Sequence, residues 1–286
     1  KVILRNTCSV DSILTSLAYA AADSSNYHSF LVKHEKSDRT AKFITRMLST
    51  TSLKKTSLYK ERIELLALHY PYNDKEHTLV GNIQLIDVMG TLTSTATKLF
   101  NKLPSYTKLD VCKNMLCPNY MTVQKYPVLS LCAFDGYIDL QEEIEKYFSP
   151  IKETDCIECP SKRKHTINAK SHILIELVSL PKELEASTSY GDITEICNVP
   201  QNYAKTVLWD LEEIPKILII RTKEYYLRSA IVFVSGDRSG LRVSTGHYKS
   251  IIRRDNDRWE VYDDLKETVT NPHGNKQIVE FLIYTV

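Results

Sequence analysis

Apolar residues in the first hundred positions of the chain recur three and four residues apart, which is the spacing of one face of an α-helix. This spacing is regular from Cys8 onward and predicts an amphipathic helix that begins at that cysteine. A second helix is predicted before Pro71, and a third from an N-cap at Asn82 to Pro104. The apolar positions of the third helix would be Ile83, Ile86, Met89, Leu92, Leu99 and Phe100. The first third of the chain is therefore predicted to be helical.

Beyond Pro104 the pattern changes to short β-like runs that are separated by turns. Glycines lie in several of the turns, and the sheet is expected to be largely antiparallel. The predicted strands after position 171 are 173–178, 207–208, 217–220, 226–234, 248–252, 259–262 and 278–284. An order of helices followed by strands is typical of the α+β class and not of alternating βαβ units.

Charge and hydropathy narrow the class of protein. Lysine and arginine number 37 against 35 aspartate and glutamate residues, and there is no long basic run, so a nucleic-acid partner is not expected. Apolar runs stay well below the ~18 residues of a membrane span, so the chain is expected to be soluble. The charged residues near position 35 are interpreted as a solvated helix exterior. They are Lys33, His34, Glu35, Lys36, Asp38 and Arg39.

Four of the seven cysteines form two close pairs, Cys112 with Cys117 and Cys156 with Cys159. Two such pairs, each in a tight turn, favour a structural zinc ion held by four thiolates. The alternatives are reduced core thiols and, in an oxidising compartment, disulfides. His165 is considered as a substitute ligand, but its basic surroundings favour exposure to solvent. Cys132 and Cys197 have no close partner in the sequence and are interpreted as buried residues.

Cys8 is a candidate nucleophile because the N-terminus of a helix stabilises a thiolate. The alternative interpretation is a small buried residue at a helix start. A candidate base is His247, which opens a strand directly after Gly246, where the missing side chain leaves room for a substrate backbone. The next predicted strand ends in Asp263 and Asp264, and one of these carboxylates could orient the imidazole.

Two motifs carry a resemblance to a known family. Asn6-Thr7-Cys8, with Ser12 and Leu14, resembles the cysteine box of ubiquitin-specific proteases. Gly246-His247-Tyr248, with the run 259–264, resembles the histidine box of that family. The resemblance implies a papain-like cysteine protease fold with a thumb at about 1–105, zinc-binding fingers at 106–170 and a β-rich palm at 171–286. In that single domain Cys8 would be the nucleophile, His247 the base and Asp263 the orienting residue.

The chain departs from the family pattern at several positions. Asp11 stands where the main family usually has Asn, which is similar to the SUMO-specific isopeptidase branch. Ile3 replaces the usual oxyanion asparagine, so Asn6 or the Cys8 backbone N–H would supply that stabilisation. The stretch around Gln84 and Asp87 resembles a degraded Gln-Asp motif, predicted to be helical, that grips the modifier tail. Leu85 occupies its acidic position, which favours a tail without arginines.

The resemblance implies a thiol isopeptidase that cleaves after the C-terminal Gly-Gly of ubiquitin or a relative such as SUMO or a neddylation modifier. It would need structural zinc and no catalytic cofactor, and it would be a monomer in the cytoplasm or nucleus. The alternatives are a catalytically weak or inactive modifier-binding module, an ordinary papain-like endopeptidase and, against the charge balance, a zinc-based nucleic-acid binder.

Overall fold

The computed structural model of the chain describes residues 2–48, 56–70, 84–149, 152–180, 207–235 and 246–286. Most helices in this part of the chain lie in its first third, as the spacing of apolar residues predicts. The helices are α1 (Cys8–Asp23), α2 (Ser25–His34), α3 (Arg39–Leu48), α4 (Thr56–His69), α5 (Leu92–Leu99) and α6 (Leu140–Tyr147). The chain therefore combines a helical part with β-sheets.

The strands form a two-stranded, a four-stranded and an eight-stranded sheet. The first seven strands are β1 (Val2–Arg5), β2 (Gln84–Asp87), β3 (Tyr106–Cys112), β4 (Met121–Tyr126), β5 (Leu129–Phe134), β6 (Lys152–Asp155) and β7 (Lys162–Ala169). The others are β8 (His172–Leu180), β9 (Val207–Asp210), β10 (Ile217–Ile220), β11 (Lys223–Ser235), β12 (Gly246–Arg253), β13 (Trp259–Tyr262) and β14 (Lys276–Thr285). All seven predicted strands after position 171 are thereby confirmed, with longer bounds for most.

The eight-stranded sheet is largely antiparallel, as predicted. Its main path runs β13-β12-β11-β14-β8-β5, while β10 pairs with β11 and β9 pairs with β14. The one parallel pair of this sheet joins β5 to β8. Two large apolar clusters pack against it, and helix α1 belongs to one of them.

Helix α1 lies against β11, β12 and β14. Its apolar residues Val10, Ile13 and Leu17 have no exposed surface. Two buried hydrogen bonds fix it further: Ser16 Oγ lies 2.8 Å from Ser229 Oγ on β11, and Ser250 Oγ on β12 donates to the Ser12 carbonyl at 2.8 Å. Because buried hydroxyls need partners, these bonds favour one placement of the helix on the sheet.

The four-stranded sheet has the order β4-β3-β7-β6 and is antiparallel throughout. Strand β3 ends at Cys112, and the turn between β6 and β7 contains Cys156 and Cys159. The sheet therefore brings both cysteine pairs to one end. Strand β5, which follows β4 along the chain, joins the eight-stranded sheet instead.

The predicted helix from Asn82 to Pro104 is wrong in its first half. Residues 84–87 form strand β2, which pairs in parallel with β1, and α5 begins only at Leu92. The burial shows why, because Ile86 and Val88 are buried two residues apart and Met89 is 71% exposed, which is the alternation of extended chain. The side chain of Thr91 accepts from the Ser94 N–H and caps α5. Asn82 and Ile83 lie outside the described residues.

The interpretation of residues 33–39 as solvated surface is wrong for Asp38. Its side chain accepts a hydrogen bond from the Ala41 N–H at 2.8 Å, and the residue is only 7% exposed. Aspartate at the start of a helix pairs with backbone N–H groups that otherwise lack partners, so its burial here is compensated. Among the described residues, no helix is both long and apolar enough to span a membrane.

Candidate active site and cysteine cluster

Cys8 is the first residue of α1, and its thiol is partly exposed. Thr7 occupies the N-cap position, but its side chain does not cap the helix, because its Oγ1 donates to Asp11 Oδ2 at 2.6 Å. The first N–H groups of an α-helix have no partner within the helix. The N–H of Cys8 and the positive end of the helix are therefore available to stabilise negative charge beside the sulfur.

His247 and Asp263 meet because β12 and β13 are antiparallel neighbours. Ser250 of β12 pairs with Tyr262, the last residue of β13, so the chain after β13 lies beside the start of β12. His247 Nε2 lies 2.8 Å from Asp263 Oδ1 and 3.3 Å from Asp264 Oδ1. The side chain of Asp263 is 4% exposed and that of Asp264 is 27% exposed. Asp263 is therefore the closer and more buried partner.

The electrostatics link this pair to Cys8. The pKa of His247 is raised to about 9, chiefly by a hydrogen bond with the Cys8 side chain, while burial opposes the shift and Asp263 adds to it. The pKa of Asp263 is lowered: burial would raise it, but hydrogen bonds from His247, Lys249 and the Leu265 N–H outweigh that effect. Nε2 faces the carboxylates, which leaves Nδ1 as the ring nitrogen for the thiol. The arrangement suits a thiolate–imidazolium pair.

Lys249 is a charged residue of this site that sequence reasoning missed. Its Nζ lies 3.1 Å from Asp263 Oδ2, the oxygen that His247 does not contact. A signal for it exists in the sequence, because residues two apart on a strand point to the same face. Lys249 follows His247 by two positions on β12, so a histidine directed at Asp263 implies a lysine directed the same way.

Asn6, a candidate oxyanion donor, is held by another residue. It has a positive φ of 56°, and its Nδ2 donates to Asp87 Oδ1 at 2.9 Å and Oδ2 at 3.1 Å. Asp87 Oδ1 also accepts from the Met89 N–H at 3.0 Å. The structure thus joins the candidate oxyanion residue to a candidate tail-binding residue. Gln84 lies at the other end of β2, which is a strand where a helical motif was expected.

Gly246, the remaining candidate for tail binding, starts β12 and pairs with Ser235. A Cβ atom at this position would overlap the ring of Phe233. The ring of Phe233 also packs on that of Tyr248, with 5.2 Å between centroids. The missing side chain therefore serves the packing of Phe233 beside the start of β12.

Asp11, the departure next to the cysteine, is paired with Arg62 of α4. Arg62 Nη2 lies 2.5 Å from Asp11 Oδ2, and both side chains are largely buried. Burial raises the pKa of Asp11 most strongly, Arg62 and Thr7 lower it, and the nearby Asp264 raises it. The ion pair ties α4 to the first turn of α1, directly beside the candidate nucleophile.

The four paired cysteines come together at one end of the four-stranded sheet. Their sulfur atoms all lie within 4.8 Å of one another. Cys112 Sγ is 3.5 Å from Cys159 Sγ, and Cys117 Sγ is 3.8 Å from Cys156 Sγ. Each close contact joins one cysteine of the first pair, Cys112 and Cys117, to one cysteine of the second pair, Cys156 and Cys159. These separations are far longer than the ~2.05 Å of a disulfide.

The cluster fits a tetrahedral zinc ion. Zinc–sulfur bonds of about 2.3 Å place tetrahedral ligands about 3.8 Å apart, close to the distances seen here. The pKa of Cys156 is lowered to about 6, first by the Glu158 N–H and also by Arg163, whereas burial raises the pKa of Cys117 and of Cys159. Backbone N–H groups and a guanidinium that favour thiolates suit a metal site. Such an ion would cross-link the turns and would supply no catalytic step.

His165 is not solvated as its basic surroundings suggested. It lies on β7, its side chain is 19% exposed, and it bonds to Asp110 Oδ1 and Thr154 Oγ1, both at 2.6 Å. It is therefore engaged away from the four sulfur atoms. Cys132 is only partly buried, and Cys197 lies outside the described residues.

Comparison with known proteins shows a shared fold without a detectable family match. No protein-family model and no curated protein matches the chain. Among solved structures, the SAGA Ubp8/Sgf11/Sus1/Sgf73 DUB module matches with a TM-score of 0.51 and 13% identity, over 99% of this chain and 66% of that chain. The chain therefore spans slightly less than two thirds of the matched chain. The Saccharomyces cerevisiae PAN2 pseudoubiquitin-hydrolase matches with a TM-score of 0.42 and 14% identity, over 97% of this chain and 84% of that chain.

At these identities the likeness concerns the fold alone. This chain therefore shares its mixed α/β architecture with the matched chain of that DUB module.

Proposed function

We propose that this chain is a cysteine isopeptidase that cleaves after the C-terminal Gly-Gly of ubiquitin or a ubiquitin-like modifier. The observation that carries the proposal is the convergence of Cys8, His247 and Asp263 from a helix and two strand ends. A thiol at a helix N-terminus, an imidazole whose pKa that thiol raises and a buried carboxylate behind the imidazole are the three parts of a cysteine peptidase. The deubiquitinase fold of the Ubp8 neighbour supports the same class.

In the proposed reaction the Cys8 sulfur attacks the carbonyl carbon of the terminal glycine. The carbon–nitrogen bond breaks as the His247 imidazolium gives its proton to the leaving lysine amine, and a thioester with Cys8 remains. His247 then takes a proton from water, which attacks the thioester and releases the modifier and the thiol. Asp263 keeps the imidazole oriented throughout, and the Cys8 N–H stabilises the oxyanion.

The substrate is proposed to be a folded modifier, with ubiquitin first. The Ubp8 likeness favours ubiquitin, whereas Leu85 in place of an acidic residue favours a tail without arginines, such as that of SUMO. Asp87, which Asn6 holds beside β1, would be the acidic residue next to a bound tail, with Gln84 and Gly246 as further contacts. A neddylation modifier is the third candidate, and no SUMO-specific branch is assigned.

The proposed division into thumb, fingers and palm follows the three parts of the fold. Helices α1 to α5 would form the thumb, the four-stranded sheet the fingers and the eight-stranded sheet the palm. Strand β5 and helix α6, from the segment 106–170 expected to form the fingers, pack with the palm sheet instead. Zinc held by Cys112, Cys117, Cys156 and Cys159 would brace the fingers. The four separated sulfur atoms need a reducing compartment, so we propose the cytoplasm or nucleus, and a monomer as the working unit.

The test is covalent capture by ubiquitin, SUMO and neddylation-modifier probes that carry a C-terminal electrophile. Capture by a probe, lost in Cys8→Ala and kept in the control Cys132→Ala, supports the proposal and names the modifier. We expect Cys8→Ala to reduce turnover by on the order of 10⁴-fold or more while binding persists. A folded protein that captures no probe, or cleavage retained by Cys8→Ala, would overturn the proposal.

A modifier-binding module with weak or no catalysis is the second candidate, and the hydrogen bonds of Asn6 favour it. Because the Asn6 amide donates to both oxygens of Asp87, an oxyanion would have to compete with that carboxylate for the amide. Loss of one such donor costs about 10²- to 10³-fold in kcat in other enzymes. Binding of a modifier without hydrolysis of its C-terminal fluorogenic amide would decide for this candidate.

A further inference from the structure

The helical part of the chain contains a cavity with an unusual charge. Its volume is about 850 Å³, and it lies between the end of α2, the start of α3 and the ends of α4 and α5. Six basic residues and two acidic residues line it, which gives the wall a net charge of +4. Since the whole chain carries +2, the remainder carries −2. The lining of this one site therefore carries a larger net positive charge than the whole chain.

The acidic residues of the wall do not neutralise the cations. The Asp38 carboxylate is buried and accepts the Ala41 N–H at the start of α3, and Glu35 Oε2 accepts from Thr45 Oγ1 at 3.3 Å. Among the described residues, no carboxylate lies at ion-pairing distance from four of the six cations. These four are Lys36, Arg39, Lys42 and Lys102.

The other two cations are positioned by neighbours. Arg46 pairs with Glu61 at 3.4 Å, and Lys98 Nζ lies 4.0 Å from the centroid of the Tyr70 ring. His69 also lines the cavity. Burial lowers the pKa of His69 most, Asp38 raises it, and Lys98 and Lys102 lower it. Both lysines are therefore close enough to the imidazole to act on it.

We propose that this cavity binds a small anion that carries several phosphate groups, such as an inositol polyphosphate or a nucleoside polyphosphate. The volume lies within the roughly 300–1,000 Å³ of small-molecule sites, which favours a compact ligand over an extended polymer. Lysine and arginine are the side chains that bind phosphate oxygens, and Arg39 can do so with two parallel hydrogen bonds. This site is separate from the proposed peptidase chemistry.

The test is isothermal titration calorimetry on the whole chain with inositol hexakisphosphate, ATP, inorganic phosphate and a poly-glutamate peptide. We expect the hexakisphosphate to bind at least about tenfold more tightly than inorganic phosphate, because several charge-assisted hydrogen bonds form at once. Affinity should fall as salt rises. Equal affinity for inorganic phosphate would mean an adventitious ion only, and tighter binding of the peptide would mean an acidic protein partner. Either result overturns the proposal.

Charge reversal locates the site. Lys36→Glu with Lys102→Glu should weaken hexakisphosphate binding by about tenfold or more, whereas the matched pair Lys125→Glu with Lys164→Glu, on the exposed four-stranded sheet, should not. All four lysines are exposed, so the unfolding midpoint should stay close to that of the parent. If the reversed cavity variant does not fold, Lys36→Gln with Lys102→Gln replaces it. Equal losses in both pairs would overturn the proposal, because the binding would then be non-specific.

Discussion

The candidate active site and the cysteine cluster are both built from residues far apart in sequence, but they are assembled in different ways. The four cysteines come from turns at one end of a single four-stranded sheet, and each pair is local. Cys8 and His247 are separated by more than two hundred positions. Cys8 begins helix α1, whereas His247 lies near the start of β12, which is between β11 and β13 in the sheet order. The geometry of the cluster therefore depends on one sheet, whereas the geometry of the candidate active site depends on how α1 packs on β11 and β12.

The difference has an energetic side. A metal ion would hold its four ligands directly, so the cluster would supply its own stability. The candidate active site contains charged groups whose burial is unfavourable. Its geometry relies on buried hydrogen bonds, such as those of Ser16 and Ser250, that hold α1 on the sheet. Substitutions in the cluster should therefore reduce mainly the stability of the fold, while substitutions in the candidate active site should reduce mainly catalysis.

The largest effect is expected from Cys112→Ala. Removing one of four ligands should abolish tight zinc binding and destabilise the four-stranded sheet by several kcal/mol, because structural zinc contributes its binding free energy to folding. Zinc content by elemental analysis and the thermal midpoint measure this, with Cys132→Ala as the thiol control. A parent protein purified without zinc, or a variant with unchanged zinc content, would contradict a zinc site.

A smaller effect, confined to catalysis, is expected from Asp263→Asn. Loss of the orienting carboxylate costs about 10⁴-fold in kcat in a related constellation, and we expect about 10³- to 10⁴-fold here. Asp264→Asn is the matched control and should cost less than about tenfold, because Asp264 is farther from His247 and more exposed. The rate of hydrolysis of a C-terminal fluorogenic modifier amide gives kcat for both variants. A larger loss in Asp264→Asn would reverse the roles of the two carboxylates.

The smallest effect is expected from Lys249→Met and appears in the pH profile. Protonation of the leaving amine needs the imidazolium, so kcat/KM in the parent should fall as pH rises through about 9, the raised pKa of His247. The substitution removes the ammonium group beside Asp263, so the carboxylate stabilises the His247 imidazolium more strongly and the pKa of His247 rises. The alkaline limb of the pH profile should therefore move to higher pH, by about one pH unit or less. Lys249→Arg should leave it in place, and a downward shift in Lys249→Met would contradict the pairing.

Much of the fold follows from the sequence because its signals are local. Apolar spacing predicts where α1 begins, and turn residues separate the strands from β8 to β14 correctly. The stretch 84–87 was assigned wrongly because four residues carry too little pattern to separate a helix from a strand, and the pairing with β1 decided the outcome. Asp38 was assigned to solvent because a helix cap looks like any other surface charge in the sequence.

The sequence by itself determined the candidate residues: a cysteine at a helix start, a histidine after a glycine, a pair of carboxylates and two cysteine pairs. Their roles in catalysis stay proposals. Only the tertiary structure decided that Lys249 contacts Asp263, that Asp87 occupies the Asn6 amide and that six cations surround one cavity. These contacts join elements that are distant along the chain, and their geometry depends on how the layers pack, which no local pattern encodes.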